Sequence, residues 1–275
     1  MKSHSHAGVG DEEQETVQGA MNVLGTQVSV LNLARAVSLL ESWMESRIVG
    51  RYVCVTGVHG VMESLRDVGV QAIHNRADAV MPDGMPLVWL GWHYGHSTMN
   101  RVYGPDLMLA MLAVSAQKGY TNFFYGGKAG VAEDLGRRMA ARFPGLRVVG
   151  TYSPPFGALS LAGEMAVLAE INTVKPDILW IGLGTPKQEI QMADFSGKVQ
   201  AKVMLGVGAA FDFHTGRIRQ APVWIQRAGL EWLFRFCMEP RRLAGRYLRN
   251  NPLFLVNVFL QMTGLRSYPV EKFEQ

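Results

Sequence analysis

Three short apolar runs in this sequence end in glycine pairs, and no other feature restricts the fold as strongly. Asn122-Phe-Phe-Tyr125 leads into Gly126-Gly127-Lys128-Ala129-Gly130, and Ile178-Leu-Trp-Ile181 into Gly182-Leu-Gly184-Thr-Pro186-Lys187-Gln188-Glu189. Met204-Leu205 leads into Gly206-Val-Gly208-Ala-Ala-Phe211-Asp212. Nearly unbroken apolar runs of this length suit strands buried on both faces, as in a parallel sheet covered by helices on each side. Tyr52–Thr56, Ala79–Met81, Arg147–Thr151 and Lys202–Val207 supply or extend further strands. Helical patterns alternate with them over Leu31–Ser46, Gly60–Asp67, Asp106–Lys118, Ala129–Phe143, Leu161–Lys175 and Lys187–Phe195. The alternation predicts an α/β domain over residues 21–215, a Rossmann-like, mostly parallel sheet flanked by helices. After Pro222 it stops, and helices are expected over Trp224–Phe236, Pro240–Leu248 and Pro252–Met262.

Charge separates the same two regions. Residues 216–275 hold ten bases against four acids, a balance of +6, whereas the rest of the chain carries −2. This basic helical appendage is interleaved with large apolar residues, a composition suited to an anionic membrane surface or to phosphate groups. It is expected to be removable without unfolding the α/β domain. Residues 1–20 are polar and lack an apolar signal-peptide core, so they are read as a disordered leader. Two cysteines without a pairing pattern fit a reducing, cytoplasmic location. No run approaches the length of a membrane-spanning helix.

The glycine turns point to a phosphate-bearing ligand. Glycine lets backbone approach a ligand closely, and the helix that follows offers free N–H groups to phosphate oxygens. The spacing matches neither the P-loop nor the dinucleotide fingerprint, so ATPase and dehydrogenase chemistry lose ground. Met81-Pro82-Asp83-Gly84 sets one carboxylate at a tight turn after a strand, placed either as a general base or as a turn cap. Thr56 and His59 close another strand and can line the same crevice, His59 being read as a structural residue. No His/Cys/Asp/Glu cluster has metal-ligand spacing, and no nucleophile-elbow serine is present. A nucleic-acid motif is also missing, and the tail aromatics sit among aliphatic residues rather than as a stacking platform.

Taken in order, these segments resemble the WecG/TagA/CpsF glycosyltransferases, over roughly residues 22 to 262. The resemblance rests on Met81-Pro-Asp83-Gly84, Arg101-Val-Tyr-Gly104-Pro-Asp106-Leu107, Tyr125 to Lys128, Gly182 to Glu189, Gly206 to Phe213, and Ala221-Pro222 through Gly229-Leu230-Glu231-Trp232 to Glu239-Pro240-Arg241-Arg242-Leu243. It implies inverting, metal-independent transfer from a UDP-sugar, hexose or N-acetylhexosamine, to a polyprenyl-diphosphate-linked glycan in cell-surface or exopolysaccharide synthesis, with no cofactor. It implies Asp83 as the base with Thr56 beside it. Arg101, the Gly126-Gly127-Lys128 turn, Gly182, Gly184, Gln188, Gly208 and Asp212 are implied as the donor site. Arg241, Arg242 and Arg246 become the tail arginines that meet phosphate or membrane. The enzyme is expected at the inner face of the cell membrane, a homo-oligomer being compatible with this. Many members carry Thr, a spacer and Asn after the first strand, and this chain has Thr56-Gly57 without the Asn. The rival reading is a non-catalytic nucleotide-sugar or nucleic-acid-binding protein.

Overall fold

The computed structural model describes residues 19–155 and 160–270. The first eighteen residues of the expected leader lie outside the described residues, but Gly19 and Ala20 do not: the Gly19 carbonyl accepts from the Val30 N–H at 3.0 Å. The chain opens with an antiparallel hairpin, β1 (Ala20–Val23) and β2 (Thr26–Ser29). Its turn, Leu24-Gly25, has positive φ at both positions, the conformation that tight hairpins need. Sequence patterning missed this hairpin because each strand has only four residues.

Six strands form one fully parallel sheet: β3 (Arg51–Thr56), β4 (Ala79–Pro82), β5 (Thr121–Gly126), β6 (Arg147–Tyr152), β7 (Ile178–Gly182) and β8 (Val203–Gly206). Their order is β4-β3-β8-β7-β5-β6. Every strand expected from the apolar runs is present. Around them, in chain order, lie α1 (Leu33–Glu45), α2 (Val58–Arg66), α3 (Val68–Arg76), α4 (Met85–His93), α5 (Gly104–Lys118) and α6 (Val131–Arg142). There follow α7 (Leu161–Val174), α8 (Lys187–Phe195), α9 (Ala210–His214), α10 (Val223–Arg227), α11 (Glu231–Met238) and α12 (Pro240–Met262). Alternate strand residues feed two cores, as a period of two requires. Val53, Val55, Phe124, Trp180 and Leu205 pack with residues of α1, α5, α6 and α9. Tyr52, Cys54, Phe123, Leu179 and Met204 pack on the other face with residues of the hairpin, α2, α8 and α12.

Two helices of the tail depart from the expected pattern. The stretch Trp224–Phe236 is divided into α10 and α11 at Gly229, which has φ +70° and packs so tightly that a Cβ there would lie 2.7 Å from Cη2 of Trp89. Pro252, expected to end one helix and begin another, instead lies inside the continuous α12. Proline removes one helical hydrogen bond, but Leu243 on one side and Phe254 and Val258 on the other are buried, and their packing holds both halves in line.

That packing bears on the tail as a whole. Phe254, Val258 and Tyr268 belong to the same buried cluster as Met21, Val23, Cys54 and Met62. Gln261 clasps the hairpin, accepting from the Leu24 N–H at 2.9 Å and donating to the Asn22 carbonyl at 2.9 Å. The side chain of Asn22 donates to the Tyr268 carbonyl at 2.7 Å. Removing the tail would therefore uncover core, against the expectation of a dispensable appendage. Phe254→Ala is expected to destabilise the protein by ~3 kcal/mol, measured by urea unfolding. Truncation after Ala221 is expected to yield aggregated chain, and a soluble, cooperatively unfolding fragment would contradict this packing.

Candidate active site

The carboxyl ends of parallel strands leave an open crevice where ligands collect. Here those of β3, β4, β7 and β8 open into one cleft of about 980 Å³. Its floor carries Asp83, Arg101, Gly182, Gly184, Gln188, Gly208 and Asp212, and its roof is formed by tail residues, including Glu231, Arg235, Arg242 and Arg246.

Asp83 directly follows β4. Its backbone N–H donates to the Thr56 carbonyl at 2.9 Å, extending the strand pairing by one bond. The carboxylate Oδ1 accepts from the Gly104 N–H, at the start of α5, at 3.2 Å. Burial pushes its pKa up to about 6, with the nearby Glu231 charge adding to the rise, while Arg101, the Gly104 N–H and Arg235 oppose it. A carboxylate in that range ionises near neutral pH and still accepts a proton readily, as a general base must.

Arg101 lies beside it. Its Nε donates to the Asp83 carbonyl, one terminal nitrogen donates to the carboxylate of Glu231, and the other reaches Gln226 Oε1 at 3.3 Å. The guanidinium sits 3.8 Å from the centre of the Tyr103 ring, and the Tyr103 hydroxyl donates to Glu231 Oε1 at 2.7 Å. The tail thus reaches across the cleft to the neighbourhood of Asp83.

The glycine turns of the floor are differently occupied. Gln188 is buried and buttresses its own loop: Oε1 accepts from the Gly184 N–H at 3.2 Å and Nε2 donates to Glu189 Oε1 at 3.1 Å. Gly208 sits with φ +53° beside that amide. Asp212, in the first turn of α9, faces the charge of Arg242, which is also paired with Glu239. Arg246 has no carboxylate within ion-pair distance among the described residues, and burial together with the charges of Arg235 and Arg242 depresses its pKa. Arg235 stacks 5.4 Å from the Phe213 ring, and its Nε is buried without a partner. Three crowded guanidiniums with one carboxylate partner between them form a ready anion site.

Five of the sequence-derived candidates lie outside this cleft. Thr56 is buried, with its hydroxyl bonded to His74 Nε2 at 3.0 Å rather than aimed at Asp83's surroundings. Gly126, Gly127 and Lys128 follow β5, the neighbour of the cleft strand β7, and are not among the residues that line the cleft. Gly126 serves close packing instead, since a Cβ there would stand 2.7 Å from the Gly182 backbone, and Gly127 N–H donates to the Gly182 carbonyl at 2.9 Å. Arg241 is exposed on α12 and is not among the lining residues. His59, in contrast, lines the cleft: burial and the Arg246 charge lower its pKa to about 4, and its neutral Nδ1 accepts from the Asn250 amide at 2.9 Å. Glu231, Tyr103, Gln226 and Arg235 were not singled out as site residues. Glu231 and Tyr103 nevertheless fall within the matched segments, and Arg235 within the basic tail.

Among the described residues no group of three or more His, Cys, Asp or Glu is arranged to hold a metal ion. No described helix is long and apolar enough to cross a membrane. One relative is the N-acetylglucosaminyldiphosphoundecaprenol N-acetyl-beta-D-mannosaminyltransferase of Bacillus spizizenii (strain ATCC 23059 / NRRL B-14472 / W23), 28% identical over 76% of this chain and 80% of that protein. The enzyme of the same name from Bacillus subtilis (strain 168) is 24% identical over 77% of this chain and 80% of that protein. The model of the Glycosyl transferase WecG/TagA/CpsF family matches residues 21–268, so the chain belongs to that family.

Proposed function

We propose that this enzyme transfers a sugar, with inversion and without a metal, from a UDP-sugar to a polyprenyl-diphosphate-linked glycan during cell-envelope or exopolysaccharide synthesis. The observation that carries the proposal is the opposition, in one cleft, of a single raised-pKa carboxylate and three tail arginines. The acceptor hydroxyl gives its proton to Asp83 as its oxygen attacks the anomeric carbon from the face opposite UDP. The bond from that carbon to the UDP oxygen breaks, and UDP leaves with additional negative charge. Arg235, Arg242 and Arg246, beside the Gly208 turn, answer that charge. The acceptor class follows from the relatives, whose names specify an undecaprenol-diphosphate carrying N-acetylglucosamine.

A lipid-linked acceptor brings the enzyme to the membrane, and the tail supports docking at its cytoplasmic face. Trp232, Leu248, Leu255, Val256 and Phe259 are exposed on α11 and α12. Exposed Arg241 and Arg249 stand beside them, a mixture that binds anionic interfaces.

Asp83→Asn is expected to lower transfer from UDP-N-acetylmannosamine to lipid-diphosphate-linked N-acetylglucosamine at least ~100-fold, with the UDP Kd little changed. The wild-type reaction is expected to run in excess chelator. Near-normal turnover of the variant removes Asp83 from the chemistry, and chelator sensitivity reversed by manganese or magnesium removes the metal-free mechanism.

The same substitution tests the electrostatics. The folded-state pKa of Asp83, about 6, lies above the ordinary carboxylate value of 3.8. Ionising it therefore costs stability, and the cost grows as pH rises between those values. Asp83→Asn is expected to raise Tm by several degrees at pH 7, with the gain vanishing below pH ~4. A Tm difference independent of pH would contradict the raised pKa. In vesicle flotation, the protein is expected to bind anionic vesicles at low salt and to leave them in part at high salt. Failure to bind at low salt refutes docking.

A further inference from the structure

The roof of the cleft contains one carboxylate among its arginines, and its position is unusually well determined. Glu231 opens α11, and its two oxygens are divided between two residues of the floor: Oε1 takes the Tyr103 hydroxyl and Oε2 takes Arg101. Arg101 and Glu231 are only 14% and 12% exposed at their side chains, so each depends on the other for its charge. Two further hydrogen bonds of Arg101 go to the Asp83 carbonyl and to Gln226, a second tail residue. The guanidinium is thereby held flat on Tyr103 and against the backbone of Asp83, and none of its hydrogen bonds goes to the Asp83 carboxylate.

We infer that Glu231 is a positioning residue, through which the docked tail fixes Arg101 beside Asp83 while keeping it off the carboxylate that takes the proton. The inference rests on the reading of Asp83 as the base. Its logic is competition for one cation. The charged groups facing Asp83 are Arg101, Glu231 and Arg235, with Tyr103 titratable beside them; Asp106 senses Arg101 and Glu231, and the Gly57 turn offers only backbone. Without Glu231, the nearest anion left to a buried Arg101 is the Asp83 carboxylate itself. Pairing there would lower the basicity of Asp83 and occupy the lone pairs that the acceptor hydroxyl needs. Tail docking and activation of the base are then one event, since the residue that crosses the cleft is also the one that frees the carboxylate.

The test uses the full-length chain. In Glu231→Gln, the side chain still bonds Tyr103 and keeps its size but loses the charge that holds Arg101. Three quantities are measured: UDP affinity by calorimetry, the Asp83 titration by carboxyl carbon-13 NMR (assigned by its loss in Asp83→Asn), and transfer from UDP-N-acetylmannosamine to lipid-diphosphate-linked N-acetylglucosamine. UDP affinity is expected to change less than ~3-fold, while kcat falls about 100-fold. The Asp83 titration and the acid limb of the rate profile are expected to move together to lower pH. Unchanged kcat with an unmoved titration overturns the inference. Tighter UDP binding with undiminished kcat also overturns it, because Glu231 would then be a plug in the donor's place. Should Glu231→Gln fail to fold, Tyr103→Phe removes one of the two donors to Glu231 and keeps the ring under Arg101. It is expected to show a smaller fall in kcat and a shift in the same direction, and its silence overturns the proposal. The reading of Asp83 as the base fails separately, if Asp83→Asn turns over normally, whereas the NMR shift reports on Glu231 in either case.

Discussion

A parallel strand must bury both of its faces, and the rest of this architecture follows from meeting that requirement. β3, β8 and β7 occupy the middle of the sheet, and each needs an apolar cover above and below. On one face α1, α5, α6 and α9 provide it. On the other, α2, α3 and α8 leave a gap at the side of β3 and β4, filled by the N-terminal hairpin and by Phe254 and Val258 of α12. A helix long enough to fill that gap projects beyond it. The projecting half of α12 carries Arg242 and Arg246 over the carboxyl ends of the strands, where the glycine turns have left room. The roof of the active site is thus an extension of the core packing.

Within the cleft two opposed effects set the chemistry. Desolvation raises the pKa of Asp83, and a guanidinium bonded to its carboxylate would lower it. The structure lies between these limits because Arg101 touches the backbone of Asp83 and not its carboxylate. The charge balance at the roof is incomplete: among the described residues, of Arg235, Arg242 and Arg246 only Arg242 has a carboxylate within ion-pair distance, Glu239, so the roof carries an excess of positive charge.

Much of this was legible in the residues. Strands apolar at every position, such as Ile178–Ile181, announce their own burial, and all six were found. The Asp83 turn and the Gly182–Glu189 loop declare themselves by punctuation and polarity. What escaped notice depends on tertiary contact. The strands β1 and β2 are too short to show periodicity. Helix α4 is apolar on nearly every side and begins with proline, so it offers no amphipathic stripe. The Gly126-Gly127 turn looks like a phosphate loop, but it packs against the Gly182 backbone and does not line the cleft, a tertiary contact that local sequence does not encode. Glu231 is one acid in a basic segment, and only the fold shows that it belongs to Arg101.

The clasp between Gln261 and the hairpin has a consequence for biogenesis. The hairpin is synthesised well before the side chains that close over it, Phe254, Val258, Gln261 and Tyr268. Contacts between residues 246 positions apart, such as Asn22 with Tyr268, form only after the later partner has been made. During translation the apolar side chains Met21, Val23 and Met62 stand without their cover, and nascent chain must be shielded until α12 arrives. The same order delays the roof of the cleft until after its floor, so a chain made only as far as the sheet holds the Asp83 carboxylate but not the arginines that face it.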